Sequence, residues 1–195
     1  MLKRYCPAYA LIIALFALVS FSFPALALNE KAIAALKGGG HVILMRHTQT
    51  VSGTGDPVGF KLGDCGTQRN LSDAGRQDAR RFGEELRKNA ISIGRVLSSP
   101  WCRCVDTAKL AIPDKAVEED LSLSSFFNVR DEAKRKSALE AIRATIAGWS
   151  GPGNLLMVSH QQTIGALAGE SLAQGGMLIV KPKPGGFDVI AETQP

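Results

Sequence analysis

The sequence predicts an α/β protein, a three-layer α/β/α sandwich around a mostly parallel central sheet. Three observations predict it. From residue 28 onward, short apolar runs with β-branched residues alternate with stretches of helical period. Glycine, 20 of 195 residues, falls largely between those segments, as tight strand-to-helix turns require. Hydrophobic residues make up 45% and charged residues 21%, which suffices for a packed core and excludes disordered or collagen-like character.

Residues 1–27 stand apart and read as a secretory signal peptide. Lys3 and Arg4 give a positive start, Ala10 to Val19 is an apolar run, and Pro24-Ala25-Leu26-Ala27 ends in a small-x-small cleavage pattern. The alternative is an uncleaved membrane anchor, because Tyr5 to Leu28 carries no charge. Cleavage leaves residues 28–195 as one domain, periplasmic or secreted. With Lys3 and Arg4 gone, the formal charge falls from +5 to +3.

The elements follow in order. Lys31 to Lys37 is an Ala-rich helix stopped by Gly38-Gly39-Gly40. His41 to Met45 is a buried strand, and residues 51–69 form a long Gly-rich loop of the kind that is usually functional or flexible. Ser72 caps a helix running to about Lys88, with Ala79, Phe82 and Leu86 on its inner face. Val96 to Ser98 is the second strand, followed by a helix marked by Trp101, Cys104, Val105, Ala108 and Ile112. A short strand near Ala116 to Glu118 and an irregular stretch through Asn128 come next. Leu139, Ile142, Ile146 and Trp149 mark a helix, Asn154 to Ser159 a buried strand, and Thr163 to Leu172 another helix. Met177 to Val180 and Phe187 to Ala191, split by Lys-Pro-Lys-Pro-Gly-Gly, read as a closing antiparallel pair.

Composition excludes some functions. Aromatics at 6% are too sparse for a base-stacking platform, and no stripe of Lys or Arg marks a nucleic-acid partner. Three histidines and one Cys102-x-Cys104 pair do not make a zinc-site spacing, so no metal or cofactor is expected.

In sheets of this kind, ligands bind beyond the carboxyl ends of the strands. The first strand ends at Arg46-His47, the second leads into a helix whose first turn carries Arg103, and the later buried strand ends at His160. Two arginines and two histidines thus converge on one crevice with a helix N-terminus, an arrangement suited to phosphate oxygens. His41 begins a strand instead and reads as structural. Taken singly, each Arg or His is more often a salt-bridge partner or a satisfied core side chain; the convergence sets the four apart.

In order along the chain, Leu44 to Thr48, Leu71 to Ala79, Ser98 to Ala108 and Val158 to His160 together resemble the histidine phosphatase superfamily, the phosphoglycerate-mutase-like proteins. Leu44-Met45-Arg46-His47-Thr48 is similar to its Arg-His-Gly signature. Leu71-Ser72-Asp73-Ala74-Gly75-Arg76-Gln77-Asp78-Ala79 resembles its Leu-Thr/Ser-x-x-Gly-x-x-x-Ala helix start. Ser98 to Ala108 resembles its Ser-Ser-Pro-x-x-Arg-Ala-x-x-Thr-Ala element, and Val158-Ser159-His160 its second histidine. The resemblance implies a phosphoglycerate-mutase-like fold with His47 as nucleophile and carrier of a phosphoryl group. It also implies that Arg46, Arg103 and His160 bind the phosphoryl oxygens and stabilise the transition state.

Three departures qualify it. Thr48 replaces the usual glycine, and Cys104 stands where alanine is usual. The glutamate that protonates the leaving group in many members has no counterpart in Asp120 to Ser125; Glu118, Glu119 and Asp120 read as a solvated turn, and Asp56 and Asp64 are the alternative donors. The expected function is an exported phosphohydrolase cleaving phosphomonoesters through a phosphohistidine on His47. Its expected partner is a phosphorylated small molecule or envelope phosphosugar. The alternative is a catalytically weak phosphate- or phosphoprotein-binding module using the same pocket. Export also permits a disulfide among Cys65, Cys102 and Cys104, the alternative being three free, partly buried thiols. Cys65 is expected to bridge Cys102, taken as the more exposed of the helical pair, and to bring Asp64 beside the pocket, leaving Cys104 buried and reduced.

Overall fold

The computed structural model describes residues 28–53 and 55–194, and the expected leader, residues 1–27, lies outside them. Six strands form one sheet: β1 (Val42–Arg46), β2 (Ile93–Ser98), β3 (Val117–Glu119), β4 (Asn154–Ser159), β5 (Met177–Lys183) and β6 (Gly186–Thr193). Their order is β3-β2-β4-β1-β5-β6. β3, β2, β4 and β1 are mutually parallel, while β5 and β6 close the sheet antiparallel. The mostly parallel expectation holds for the half that carries the site.

Among the described residues, five helices cover the sheet: α1 (Glu30–Lys37), α2 (Asp73–Lys88), α3 (Cys102–Ala111), α4 (Glu132–Ala147) and α5 (Gln161–Ala168). Alternation along each central strand decides which face each side chain serves. Ile43 and Met45 of β1, with Leu156 and Val158 of β4, pack with α1, α2 and α3. Val42, Leu44, Leu155 and Met157 point the other way, towards α4 and α5. Both faces of β4 are buried, which is why its sequence is an unbroken apolar run rather than an alternating one. Among the described residues, no helix is long and apolar enough to cross a membrane.

The ends of elements moved in places. β2 starts at Ile93, three residues before the apolar run that announced it, because Ile93 and Arg95 pair with Asn154 and Leu155 of β4. α4 extends back to Glu132, where the Asp131 side chain accepts from Lys134 N–H. α5 stops at Ala168 rather than Leu172, ended by Gly169 at φ 79°. The β5–β6 hairpin uses only Pro184 and Gly185 as its turn, so Pro182 is drawn into the outer strand pair.

Two glycines are fixed by close approach. A Cβ on Gly75 would lie 1.9 Å from the carbonyl oxygen of Gln49, so the first turn of α2 rests directly on the segment that follows His47. One on Gly83 would lie 2.0 Å from the Ala111 oxygen, where α2 meets α3.

Candidate active site

Because β2, β4 and β1 are adjacent and parallel, their carboxyl ends come out side by side. Arg46 ends β1 opposite Ser159 of β4, and His47 N–H donates to the Ser159 carbonyl at 3.0 Å. Ser99 N–H donates to the Val158 carbonyl at 2.9 Å, which ties the exit of β2 to the same row. Beyond these ends lies a cavity of about 510 Å³ lined by Arg46, His47, Arg103 and His160. The four residues singled out from the sequence are thus brought together.

His47 is 3% exposed, and its Nδ1 lies 2.9 Å from the Thr48 carbonyl oxygen. A carbonyl only accepts, so Nδ1 carries the proton and donates. Nε2 is left as a lone pair open to the cavity. Burial, chiefly, and the charges of Arg103, Arg46 and Arg69 push the imidazole's pKa down to about 3, against the opposing pull of the Thr48 hydrogen bond. The ring is therefore neutral and nucleophilic at any ordinary pH.

His160 caps α5 and meets His47 edge to face, with ring centroids 5.5 Å apart. Its Nε2 lies 2.8 Å from Ser99 Oγ and 3.5 Å from Cys104 Sγ. The Ser99 hydroxyl can donate to Nε2, the tautomer that places the ring proton on Nδ1. Burial first, then the charges of His47, Arg103 and Arg46, hold His160 well below its usual pKa.

Arg103 is nearly buried. Its guanidinium stacks on Trp101 at 4.8 Å and donates through Nη1 to Asp56 Oδ1 at 2.8 Å and to the Arg69 carbonyl at 3.3 Å. Arg46 Nη1 donates to the Leu172 carbonyl at 2.6 Å. Thr48, in the usual glycine position, is fully buried. Its N–H donates to Thr107 Oγ1 at 3.2 Å, and Thr107 in turn donates to the Arg103 carbonyl at 2.7 Å. The threonine thus links the nucleophile's turn to the helix that carries Arg103.

Sequence reasoning missed Arg69. It ends the long loop, lines the cavity and is held by Nη1 donating to the Gly53 carbonyl at 2.9 Å. Burial, and then Arg103, lower its pKa, with Asp56 opposing; Arg46 is lowered by burial and by the same two arginines. Three guanidiniums close enough to repel one another around one cavity are relieved by a bound anion. The available signal was a lone arginine two residues before Leu71-Ser72, in a loop expected to be functional. Phe60, Phe127, Asn128, Gln161 and Gln162 also line the cavity and were not anticipated.

The two expected proton donors separate. Asp56 lines the cavity, with Oδ1 accepting from Arg103 and from Arg69 N–H at 2.9 Å. Asp64 is exposed, caps the short turn Cys65–Thr67 and is not among the cavity's walls, because its Oδ1 accepts from Gly66 N–H. The expectation that the bridge brings Asp64 to the pocket is corrected: Asp56 takes that place. Glu118 pairs with Arg95 and Asp120 caps the turn Leu121–Leu123.

Cys65 and Cys102 form a disulfide, and Cys104 is a buried free thiol whose pKa is pushed up to about 12 by burial despite Arg103. Cys102, 5% exposed against 0% for Cys104, is the more open of the pair as expected, though still buried, since the loop folds over it and Gln68 Oε1 accepts from its N–H at 3.0 Å. His41 donates from Nδ1 to Gly39 at the far end of β1, in the structural role expected.

Residues 42–126 match the sequence pattern of the Histidine phosphatase superfamily (branch 1), and they span β1, the loop, α2, β2, α3 and β3. This segment is similar to the histidine phosphatase superfamily. Solved structures with the same fold include the protein histidine phosphatase SixA complexed with tungstate (21% identity, 80% of this chain and 97% of that one, TM-score 0.56). Phosphoserine phosphatase from Entamoeba histolytica in complex with 3-phosphoglyceric acid is similar at 15% identity, over 80% and 97% of the two chains, with a TM-score of 0.56. Mycobacterial glucosyl-3-phosphoglycerate phosphatase complexed with VO3 gives 15%, 80% and 99%, and 0.58. At these identities the likeness is one of fold. No curated protein matches the chain in sequence. The matched segment supplies Arg46, His47, Asp56, Arg69 and Arg103, and His160, directly after β4, joins them from outside it.

Proposed function

We propose that the protein is a phosphatase that hydrolyses phosphomonoesters through a phosphohistidine on His47. The observation that carries this reading is His47 Nε2, unprotonated and open to a cavity ringed by three guanidiniums. In the first half-reaction the Nε2 lone pair forms the N–P bond as the P–O bond to the leaving group breaks. The leaving oxygen keeps the electron pair and takes a proton from solvent water. In the second, water attacks phosphorus and gives a proton back to solvent, the N–P bond breaks, and phosphate leaves with His47 neutral again. Arg46, Arg69 and Arg103 face the charge on the phosphoryl oxygens throughout, and His160 Nδ1–H donates to one of them. The cavity volume suits a small molecule. Tungstate, VO3 and 3-phosphoglyceric acid in the similar structures are anions that a cationic cradle would take.

Export is part of this proposal. The leader-like residues 1–27 and the Cys65–Cys102 disulfide both support an oxidising compartment. A phosphate- or phosphoprotein-binding module with little turnover is the second reading, favoured by the commitment of Asp56 Oδ1 to Arg103.

One assay separates them. Wild-type protein should hydrolyse p-nitrophenyl phosphate and trap an acid-labile phosphoenzyme, and His47→Ala should do neither. Binding of phosphate without turnover would favour the module. Acid-labile label on His47→Ala would move the nucleophile elsewhere.

A further inference from the structure

The walls above the phosphoryl cradle carry aromatic rings from both faces of the sheet. On the α1–α3 side, Phe60 and Trp101 stack with ring centroids 4.4 Å apart and interplanar angle 37°. On the α4–α5 side, Phe127 lines the same cavity while leaving 68% of its surface exposed, an unusual state for a large apolar side chain with nothing covering it. It follows the turn Leu121–Leu123, which packs against α4. Beyond the three cradle arginines and Asp56, the wall residues are uncharged: Ser125, Asn128, Gln161 and Gln162 among the polar ones.

The acid inventory points the same way. Asp56 is the one carboxylic acid among the cavity's described walls, and its Oδ1 accepts from both Arg103 and Arg69 N–H. An alkoxide, whose conjugate acid resembles water with a pKa near 15.7, needs a proton as it leaves. A phenoxide, at about 10, leaves far more easily without one.

We propose that this cavity takes aryl phosphomonoesters, with the phosphoryl group in the arginine cradle and a neutral aromatic leaving group between the Phe60–Trp101 pair and Phe127. This rests on the reading that the site cleaves phosphomonoesters, and it replaces the envelope phosphosugar expected from the sequence. The ring can belong to a free aryl phosphate or to a phosphotyrosyl peptide, since the recognised chemistry is the same.

Three substrates divide the effect. Phenyl phosphate has a ring and a phenoxide leaving group, benzyl phosphate has a ring on an alkoxide, and glycerol 2-phosphate has an alkoxide without a ring. kcat/KM should fall in that order. Phe127→Ala should narrow the benzyl-to-glycerol ratio by about 2- to 10-fold, the equivalent of one aromatic pair, and Phe127→Tyr should restore it. A phosphotyrosyl peptide cleaved at least as well as phenyl phosphate would assign the ring to a protein source, and a poorer rate would assign it to a small molecule. Glycerol 2-phosphate within about twofold of phenyl phosphate, or an unmoved ratio in Phe127→Ala, would overturn the aryl preference and leave the phosphatase standing. Failure of the wild type to turn over any of the three would overturn both.

Discussion

Arg46, His47, Ser99 and His160 sit at the ends of three adjacent parallel strands, whereas Asp56, Phe60 and Arg69 ride on a loop that crosses above them. The first group is positioned by the sheet itself. Main-chain hydrogen bonds from His47 and Ser99 to β4 fix it, and core side chains at 0–3% exposure lie directly beneath. The loop has no such ladder. It is held by two isolated bridges, Thr50↔Leu71 and Lys61↔Asp64, by the Cys65–Cys102 disulfide, and by the ion pair of Asp56 with Arg103. One half of the cradle is therefore a consequence of folding the core. The other half depends on a few discrete tethers, and the comparison can be broken at each of them.

The largest effect should come from Arg103, which joins the two halves. Arg103→Ala removes a charged clamp and releases Asp56, at a cost of roughly 2.7–4 kcal/mol in transition-state stabilisation, or about 10²–10³ in kcat. A near-wild-type kcat would place Arg103 outside the reacting site.

The disulfide should matter next, and to stability. It closes a 37-residue separation, and its loss in Cys65→Ser should cost about 4 kcal/mol on the loop-entropy description. Urea unfolding under non-reducing conditions measures this. If the two halves are built as described, KM should rise with little change in the protection of β1 and β4 amides from hydrogen exchange. Equal loss of protection in both regions would show that the loop and the core unfold as one.

Asp56 tests whether the loop supplies an acid or an anchor. Oriented as it is towards Arg103, Asp56→Asn should lower kcat/KM by about 10- to 100-fold on aryl and alkyl esters alike, the cost of one charge-assisted hydrogen bond. The pH profile should keep its shape. A loss confined to alkyl esters, together with a vanished limb in the pH profile, would make Asp56 the proton donor instead.

The last effect is graded with pH, so that it is smallest near neutrality, and belongs to the strand ends. His47 is held at about 3 when folded and returns to about 6.5 when unfolded. Below pH 6.5 the unfolded chain binds a proton that the folded site refuses, so stability is full above 6.5 and falls as the pH drops towards 3. The slope is at most about 1.4 kcal/mol per pH unit for each histidine, and His160 acts in the same direction. Urea midpoints between pH 7 and 4.5 should fall, and His47→Gln should flatten the trend. An unchanged slope in that variant would place the linkage elsewhere.

How much of this was legible beforehand follows from the same division. β1 and β4 are apolar runs buried on both faces, and the rule that ligands sit at carboxyl ends of parallel strands then places His47 and His160 without further information. Ser72 as the cap of α2 was equally plain, because its side chain bonds Gly75 N–H within four residues of sequence. Local pattern carries such features, since the partners are neighbours in the chain or share a repeat. Arg69, Phe60 and Phe127 lie in segments with no period to read, and their roles depend on distances set by other elements. Asp56 and Asp64 lie on the same loop and looked equivalent in sequence. One accepts from Arg103, 47 residues away, and the other caps its own turn. Sequence by itself determined the alternation of strands and helices and singled out Arg46, His47, Arg103 and His160, because backbone hydrogen bonding and burial impose those from short-range pattern. Only the tertiary structure decided which loop residues complete the cradle, because a loop without a ladder takes its path from the few long-range contacts that hold it.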